Sequence, residues 1–245
     1  MRSWVIGATA IATLVASRVA AQDTGRLPAL LRAVEEESRV TALVRADGEL
    51  TVASPEETHR FPAILIYRPG TVGTDLYVEL GNDGGKALIL NDGTQAFRLA
   101  KGATQAQPFP ADATLADSEF AREDLQPLRI ANFADTRISD EGAGRMTVSI
   151  APKASPYCLL VVTFDTERNI PLKVMYYQQT PNNLVKMQRN SDQVLVGRKW
   201  LPTTVTMEDF KMRTMSTLTL KWSQPPSVSP ERFDPALLAK TVGGR

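Results

Sequence analysis

In RLPALLRAVEEES (26–38), Leu27, Leu30, Leu31 and Val34 fall at i, i+3, i+4 and i+7. That spacing lays one apolar stripe along a helix. Glu35, Glu36 and Glu37 crowd its C-terminal turn and oppose the helix dipole, so the helix depends on what the stripe covers. From residue 40 the period drops to two. Val40, Ala42 and Val44 lead into Asp47-Gly48, and Leu50 and Val52 lead out, which predicts a hairpin. FPAILIYRP (61–69), TDLYVEL (74–80), KALIL (86–90) and TQAFRL (94–99) follow as strands. Gly70, Gly73, Asn82-Asp83-Gly84-Gly85 and Asn91-Asp92-Gly93 supply the turns between them.

Residues 101–116, with two prolines and many small side chains, read as a long loop. DSEFAREDL (117–125) reads as a short helix capped by Asp117 or Ser118. Strands then resume with RMTVSIAP, CLLVVTFD, IPLKVMYY, LVKMQRN, WLPTTVTME and STLTLKW, with a turn at Thr180-Pro181-Asn182-Asn183. SPERFDPALLAK (229–240) closes the chain as a short helical segment. Strands in succession with tight turns mean antiparallel pairing, and the same strand style on both sides of the loop means one domain over residues 22–245.

Residues 1–21 stand apart. A basic start at Arg2, the apolar run WVIGATAIATLVA and small residues at Val19-Ala20-Ala21 predict a secretory signal peptide cleaved after Ala21. The run is too short and too rich in Ala, Thr and Gly for a membrane span. Removing Arg2 and Arg18 takes the basic count from 28 to 26 against 27 acids, so the mature chain is near −1. That balance gives no support for nucleic acid as a partner. Cys158 is the single cysteine, and its setting YCLLVVTF predicts a buried, inert thiol.

Site chemistry is sparse. His59 is the single histidine; it lies among charges in PEETHRF, and no GxSxG elbow accompanies it. One histidine and one cysteine cannot make a usual zinc site. GNDGGKA (81–87) lacks the spacing and the Ser or Thr of a phosphate loop and reads as a hairpin loop. Asp117, Glu119, Glu123 and Asp124 read as a solvated face. No enzyme activity, cofactor or metal is expected. Apolar chemistry remains: Met175, Met187, Met207, Met212 and Met215 fall in the last third of the chain, and methionine suits surfaces that accept varied apolar partners.

FDTERNIPLKVMYY, then GRKWLPTTVTMEDF, then TLTLKW and the closing SPERFDPALL resemble, in that order, the LolA-like outer-membrane lipoprotein-sorting family. ILIYRPG and DSEFAREDL fit the same pattern, so the resemblance spans residues 26–240. It implies a mainly β fold: a single strongly curved antiparallel sheet forming an incomplete β-barrel, with helices across its open side and an apolar cavity between. It implies a periplasmic carrier of lipid or lipoprotein acyl chains, served by an inner-membrane transporter and an outer-membrane acceptor. It also implies an arginine that secures the lid, for which Arg39 and Arg45 are the candidates.

A carrier has a physical rationale, because exposing an acyl chain to water costs about 0.8 kcal/mol per methylene. Leu27, Leu30, Leu31 and Val34 are the candidate lid residues. Leu172, Val174, Trp200, Val205, Met207, Leu218, Leu220 and Trp222 are the candidate wall. Alternation separates Val205 and Met207 from Thr204, Thr206 and Glu208 but does not say which face lines the cavity. The alternative reading is a non-catalytic scaffold or accessory subunit of an envelope or transporter complex, using a sheet face or edge for a protein partner.

Overall fold

The computed structural model describes residues 11–82 and 84–239, with side chains from Gly25 onward. The expected signal peptide therefore lies outside the described residues in its first ten positions and outside the described side chains in the rest. A single α-helix, α1 (Ile11–Ser38), precedes the sheet. Its stripe is buried as the spacing predicts, with Leu27, Leu30, Leu31 and Val34 all in the core.

Thirteen strands follow: β1 (Val44–Ala53), β2 (Thr58–Pro69), β3 (Thr74–Leu80), β4 (Gly85–Leu90), β5 (Gln95–Leu99), β6 (Gln107–Pro108), β7 (Phe133–Gly142), β8 (Arg145–Pro152), β9 (Leu159–Asp165), β10 (Ile170–Tyr177), β11 (Leu184–Val196), β12 (Lys199–Asp209) and β13 (Thr214–Ser223). They form one antiparallel sheet in the order β6-β5-β4-β3-β2-β1-β13-β12-β11-β10-β9-β8-β7. Every neighbouring pair is consecutive in sequence except β1 and β13, which meet at the centre.

The antiparallel meander is as expected, but the incomplete barrel beneath several helices does not form. The sheet stays open, with β6 and β7 as unpaired edges, and α1 is the one α-helix among the described residues. Both edges are built against further pairing. β6 is two residues long and ends in Pro108, and β7 is largely exposed and carries Asp135, Arg137, Asp140 and Glu141.

The rest of the covering comes from residues 109–132, which run from edge β6 to edge β7 across the face that α1 covers. Phe109, Leu115 and Phe120 of this strap join the helix stripe and the inward residues of the sheet in one core. The expected helix at 117–125 reduces to a 3-10 turn at Arg122–Leu125, because the chain turns at Ala116 and Asp117 with positive φ and folds back until Ala121 pairs with Thr114. The back face of β2–β4 carries a second cluster, Ile66, Tyr77 and Leu88, closed by Phe233 and Leu238 of the C-terminal segment. That segment holds a 3-10 turn at Pro230–Phe233.

Two local expectations also change. Asp47-Gly48 is no turn: β1 runs straight through it, and Gly48 is there because β13 passes too close for a side chain. A Cβ at Gly48 would lie 1.9 Å from the Thr219 carbonyl oxygen. Cys158 is exposed, because it precedes β9 and Tyr157 takes the inward position.

Candidate functional site

The helix-covered face is apolar from β3 across to β8, but β11 interrupts it. Lys186, Gln188 and Asn190 alternate onto this face, opposite Asp209, Met207 and Val205 of β12. Each amide is partnered. The Tyr176 hydroxyl donates to Gln188 Oε1 at 2.8 Å, Gln188 Nε2 to Asn190 Oδ1 at 2.8 Å, and Asn190 Nδ2 to the Pro171 carbonyl at 2.9 Å.

Lys186 fastens the strap. Its ammonium donates to Asp124 Oδ2 at 2.6 Å and to the Glu119 carbonyl at 3.1 Å. Tyr157 donates to Asp124 Oδ1 at 3.0 Å, and the Ala121 N–H to Oδ2 at 2.8 Å. Burial pushes the Asp124 carboxyl up, while Lys186, Ala121 and Tyr157 pull it back. Burial, then the nearby carboxylate charge, raise the Tyr157 and Tyr176 hydroxyls. A second buried pair joins Ser216 Oγ of β13 to the Glu119 carboxylate. Glu119 and Asp124 are therefore buried docking groups, where the sequence suggested a solvated face.

The acidic end of α1 is answered by cations. Lys199 Nζ donates to the carbonyls of Glu36 and Glu37 at 2.9 and 2.8 Å, and the Trp200 N–H to Glu37 Oε1 at 3.2 Å. Arg129 of the strap lies 4.0 Å from Glu35 and 3.5 Å from Asp92. It ties down the helix in the place expected of Arg39 or Arg45. Arg39 is exposed, and Arg45 pairs with Asp47 two residues along its own strand.

Three clefts meet at Ser38 in the last turn of α1. The first, about 320 Å³, separates the helix end from the β11–β12 hairpin and is lined by Val34, Trp200, Leu201 and Pro202. The second, about 250 Å³, lies between α1 and the strap over Leu160 and Val174. The third, about 220 Å³, lies under Phe120 and Leu125 against Tyr67, Val205, Leu218, Leu220 and Trp222. Tyr67 and Trp222 have ring centroids 5.9 Å apart, and burial pushes the Tyr67 hydroxyl up to about 12.

The candidate residues thus divide. Val34, Val174, Trp200, Val205, Leu218, Leu220 and Trp222 line clefts. Leu27, Leu30 and Leu31 are buried in packing the helix onto the sheet. Met207 is on the covered face but sealed beside Ser216, its partner across β12 and β13, where the strap docks. Leu172 is half-buried and lines none of the three. Ser38, Tyr67, Gln188 and Asn190 were missed. The alternation of Lys186, Gln188 and Asn190 in LVKMQRN was the available signal for the last two.

Among the described residues no catalytic constellation assembles around the single histidine. His59 is exposed and lies 2.9 Å from Glu57. Among the described residues, no group of three or more His, Cys, Asp or Glu side chains is placed to hold a metal ion.

A family model described as "-like: Uncharacterized protein" matches residues 105–240, more than half of the chain. No curated protein matches it. Among solved structures, a domain from Vibrio parahaemolyticus described as outer membrane lipoprotein-sorting aligns with a TM-score of 0.76 at 17% identity, covering 86% of this chain and 97% of that one. A DUF1329 family protein from Desulfovibrio piger gives 0.73 at 15% identity, covering 86% and 98%. A LolA superfamily protein from Nitrosomonas europaea gives 0.65 at 13%, covering 84% and 96%. At these identities the likeness is one of fold, and at that level it agrees with the resemblance read from the sequence.

Proposed function

Taking as premise that the chain belongs to the family described as "-like: Uncharacterized protein", we propose that it is a non-catalytic periplasmic carrier of lipid or lipoprotein acyl chains. The observation that carries this reading is the meeting of three apolar-lined clefts at Ser38, beneath a covering made of separate pieces. Each cleft is at or below the lower end of the roughly 300–1,000 Å³ usual for a ligand pocket. An acyl chain is accommodated when the helix end and the strap part and the clefts join. Re-closure of the covering favours release to an acceptor that binds the chain better. The amides of Gln188 and Asn190 offer polar contacts beside the apolar wall. An inner-membrane transporter as donor and an outer-membrane acceptor complete the scheme, with transport directed toward the outer membrane.

Native mass spectrometry of protein released gently from periplasm tests the reading. The expected spectrum carries lipid-sized adducts that disappear when Val205→Asp and Leu218→Asp charge the third cleft. Consistently empty protein overturns the carrier.

One observation favours the scaffold alternative. The β12–β13 hairpin exposes Phe210, Met212 and Met215 beside an open hollow of about 520 Å³. A stable envelope-protein complex lost on Met212→Asp, in protein that holds no lipid, would support it.

A further inference from the structure

The β11–β12 hairpin leaves the sheet. Pairing of β10 with β11 stops at Lys173 and Arg189, and pairing of β13 with β12 stops at Thr204 and Thr219. β11 and β12 continue to pair with each other as far as Val196 and Lys199. Residues 190–203 therefore form a two-stranded arm with no strand on either side. Its base is stitched down by Asn190 to the Pro171 carbonyl and by Trp222 Nε1 to the Pro202 carbonyl at 2.7 Å, and next to its turn Lys199 holds it to the end of α1.

The tip is apolar on both sides. Val194 is 37% exposed and Leu195 56%. As consecutive residues of a strand they point to opposite faces of the ribbon. Arg198 sits at the turn, exposed and without an ion pair among the described residues. Residues 190–203 carry Arg198 and Lys199 against one acid, Asp192. On the arm, the Trp200 ring lies 4.7 Å from the Arg168 guanidinium. The groups facing the arm from neighbouring elements are largely paired: Glu37 with Lys199, and Asp165 with Arg168. The first cleft is lined by Val196, Arg198 and Trp200 of the arm itself.

We propose that this arm is the surface by which the protein settles on a lipid bilayer. Val194 and Leu195 enter the boundary between headgroups and acyl chains, and Arg198 meets lipid phosphates. The cleft between arm and α1 then faces the membrane, an assignment of purpose that rests on the carrier reading. A protein groove would cover one face of the ribbon and leave the other apolar side chain in water, whereas a bilayer surrounds the tip. The other exposed apolar hairpin, at Phe210 and Met212, also carries exposed cations, Lys211 and Arg213; what singles out the arm is the first cleft, which opens beside its tip.

Flotation of the full chain with vesicles of phosphatidylethanolamine and phosphatidylglycerol tests the arm. Wild type floats. Leu195→Asp and Val194→Asp each reduce the bound fraction at least about tenfold, Arg198→Glu reduces it and removes its salt dependence, and Met212→Asp leaves it unchanged. A fluorophore on Leu195→Cys in a Cys158→Ser background is quenched by brominated lipid, and one on Met212→Cys is not. Both tip residues are exposed, and unchanged circular dichroism and melting show that the variants fold. Wild type that does not float, or Leu195→Asp that floats as well as wild type, overturns the proposal. So does a protein complex that depends on Leu195 in a chain that ignores vesicles. Co-purifying lipid without flotation removes the arm's role and keeps the carrier; flotation of consistently empty protein does the reverse.

Discussion

Lys186 Nζ and Asp124 Oδ2 lie 2.6 Å apart, with the lysine side chain nearly closed off from water and the aspartate completely so. The pair joins β11, an interior strand of the sheet, to a strap that has little regular structure of its own. Removing one partner strands a buried charge. Lys186→Met should therefore cost about 3–5 kcal/mol, and Lys186→Met with Asp124→Leu should regain most of it. Urea denaturation of the two variants measures the difference.

Asp165 ends β9 and organises the turn to β10. Burial works to raise its carboxyl, but the backbone N–H groups of Arg168 and Glu167 and the Arg168 guanidinium outweigh burial and hold it below its usual value. A lowered folded value means that the unfolded chain binds the proton more readily. The contribution is complete above the unfolded value of about 3.9 and is lost as pH falls through the lower folded value. Melting temperature followed from neutral pH to acid should fall less steeply below pH ~4 in Asp165→Asn than in wild type.

Gly48→Ala tests the central crossing. The added methyl would meet the Thr219 carbonyl oxygen at 1.9 Å, so β1 and β13 must separate. A loss of about 2 kcal/mol or more is expected in chemical denaturation. Gly102→Ala is the comparison for a glycine with open space around it; its positive φ adds backbone strain but no steric contact.

Lys199→Ala frees the last carbonyls of α1 without touching its buried stripe. The expected result is faster hydrogen exchange in the final two helical turns, equivalent to about 1 kcal/mol of local protection, with global melting little changed. Equal exchange in both proteins would assign the helix end to packing alone.

The parts of this fold legible in sequence are those where one period met one environment. The α1 stripe and most strands are plain because each buries one side and wets the other. β7 was missed because an exposed edge carries no apolar alternation: FADTRISDEG offers charges on both faces. Asp47-Gly48 misled because glycine serves tight turns and close strand passage alike. Cys158 misled because the apolar run after it begins one residue later, at Leu159. Of the candidate site, the wall was legible at Val205, Leu218, Leu220 and Trp222, since alternation groups them. The strap was not, because Glu119 and Asp124 look like surface acids until Ser216 and Lys186, far along the chain, come to meet them.

The strand order has a consequence for how the chain folds. Eleven of the twelve pairings in the sheet join sequence neighbours and can zip up locally, while β1 and β13 join residues such as Leu50 and Leu218 across most of the chain. Two ribbons can thus form early, but the central seam closes only when the last strand arrives, after a large loop-closure cost. A circular permutant opened in the strap, with the C-terminal segment linked to the start of α1, would leave only that segment and the helix between β13 and β1. It should fold faster than the natural chain, which has to be nearly complete before its sheet can be one.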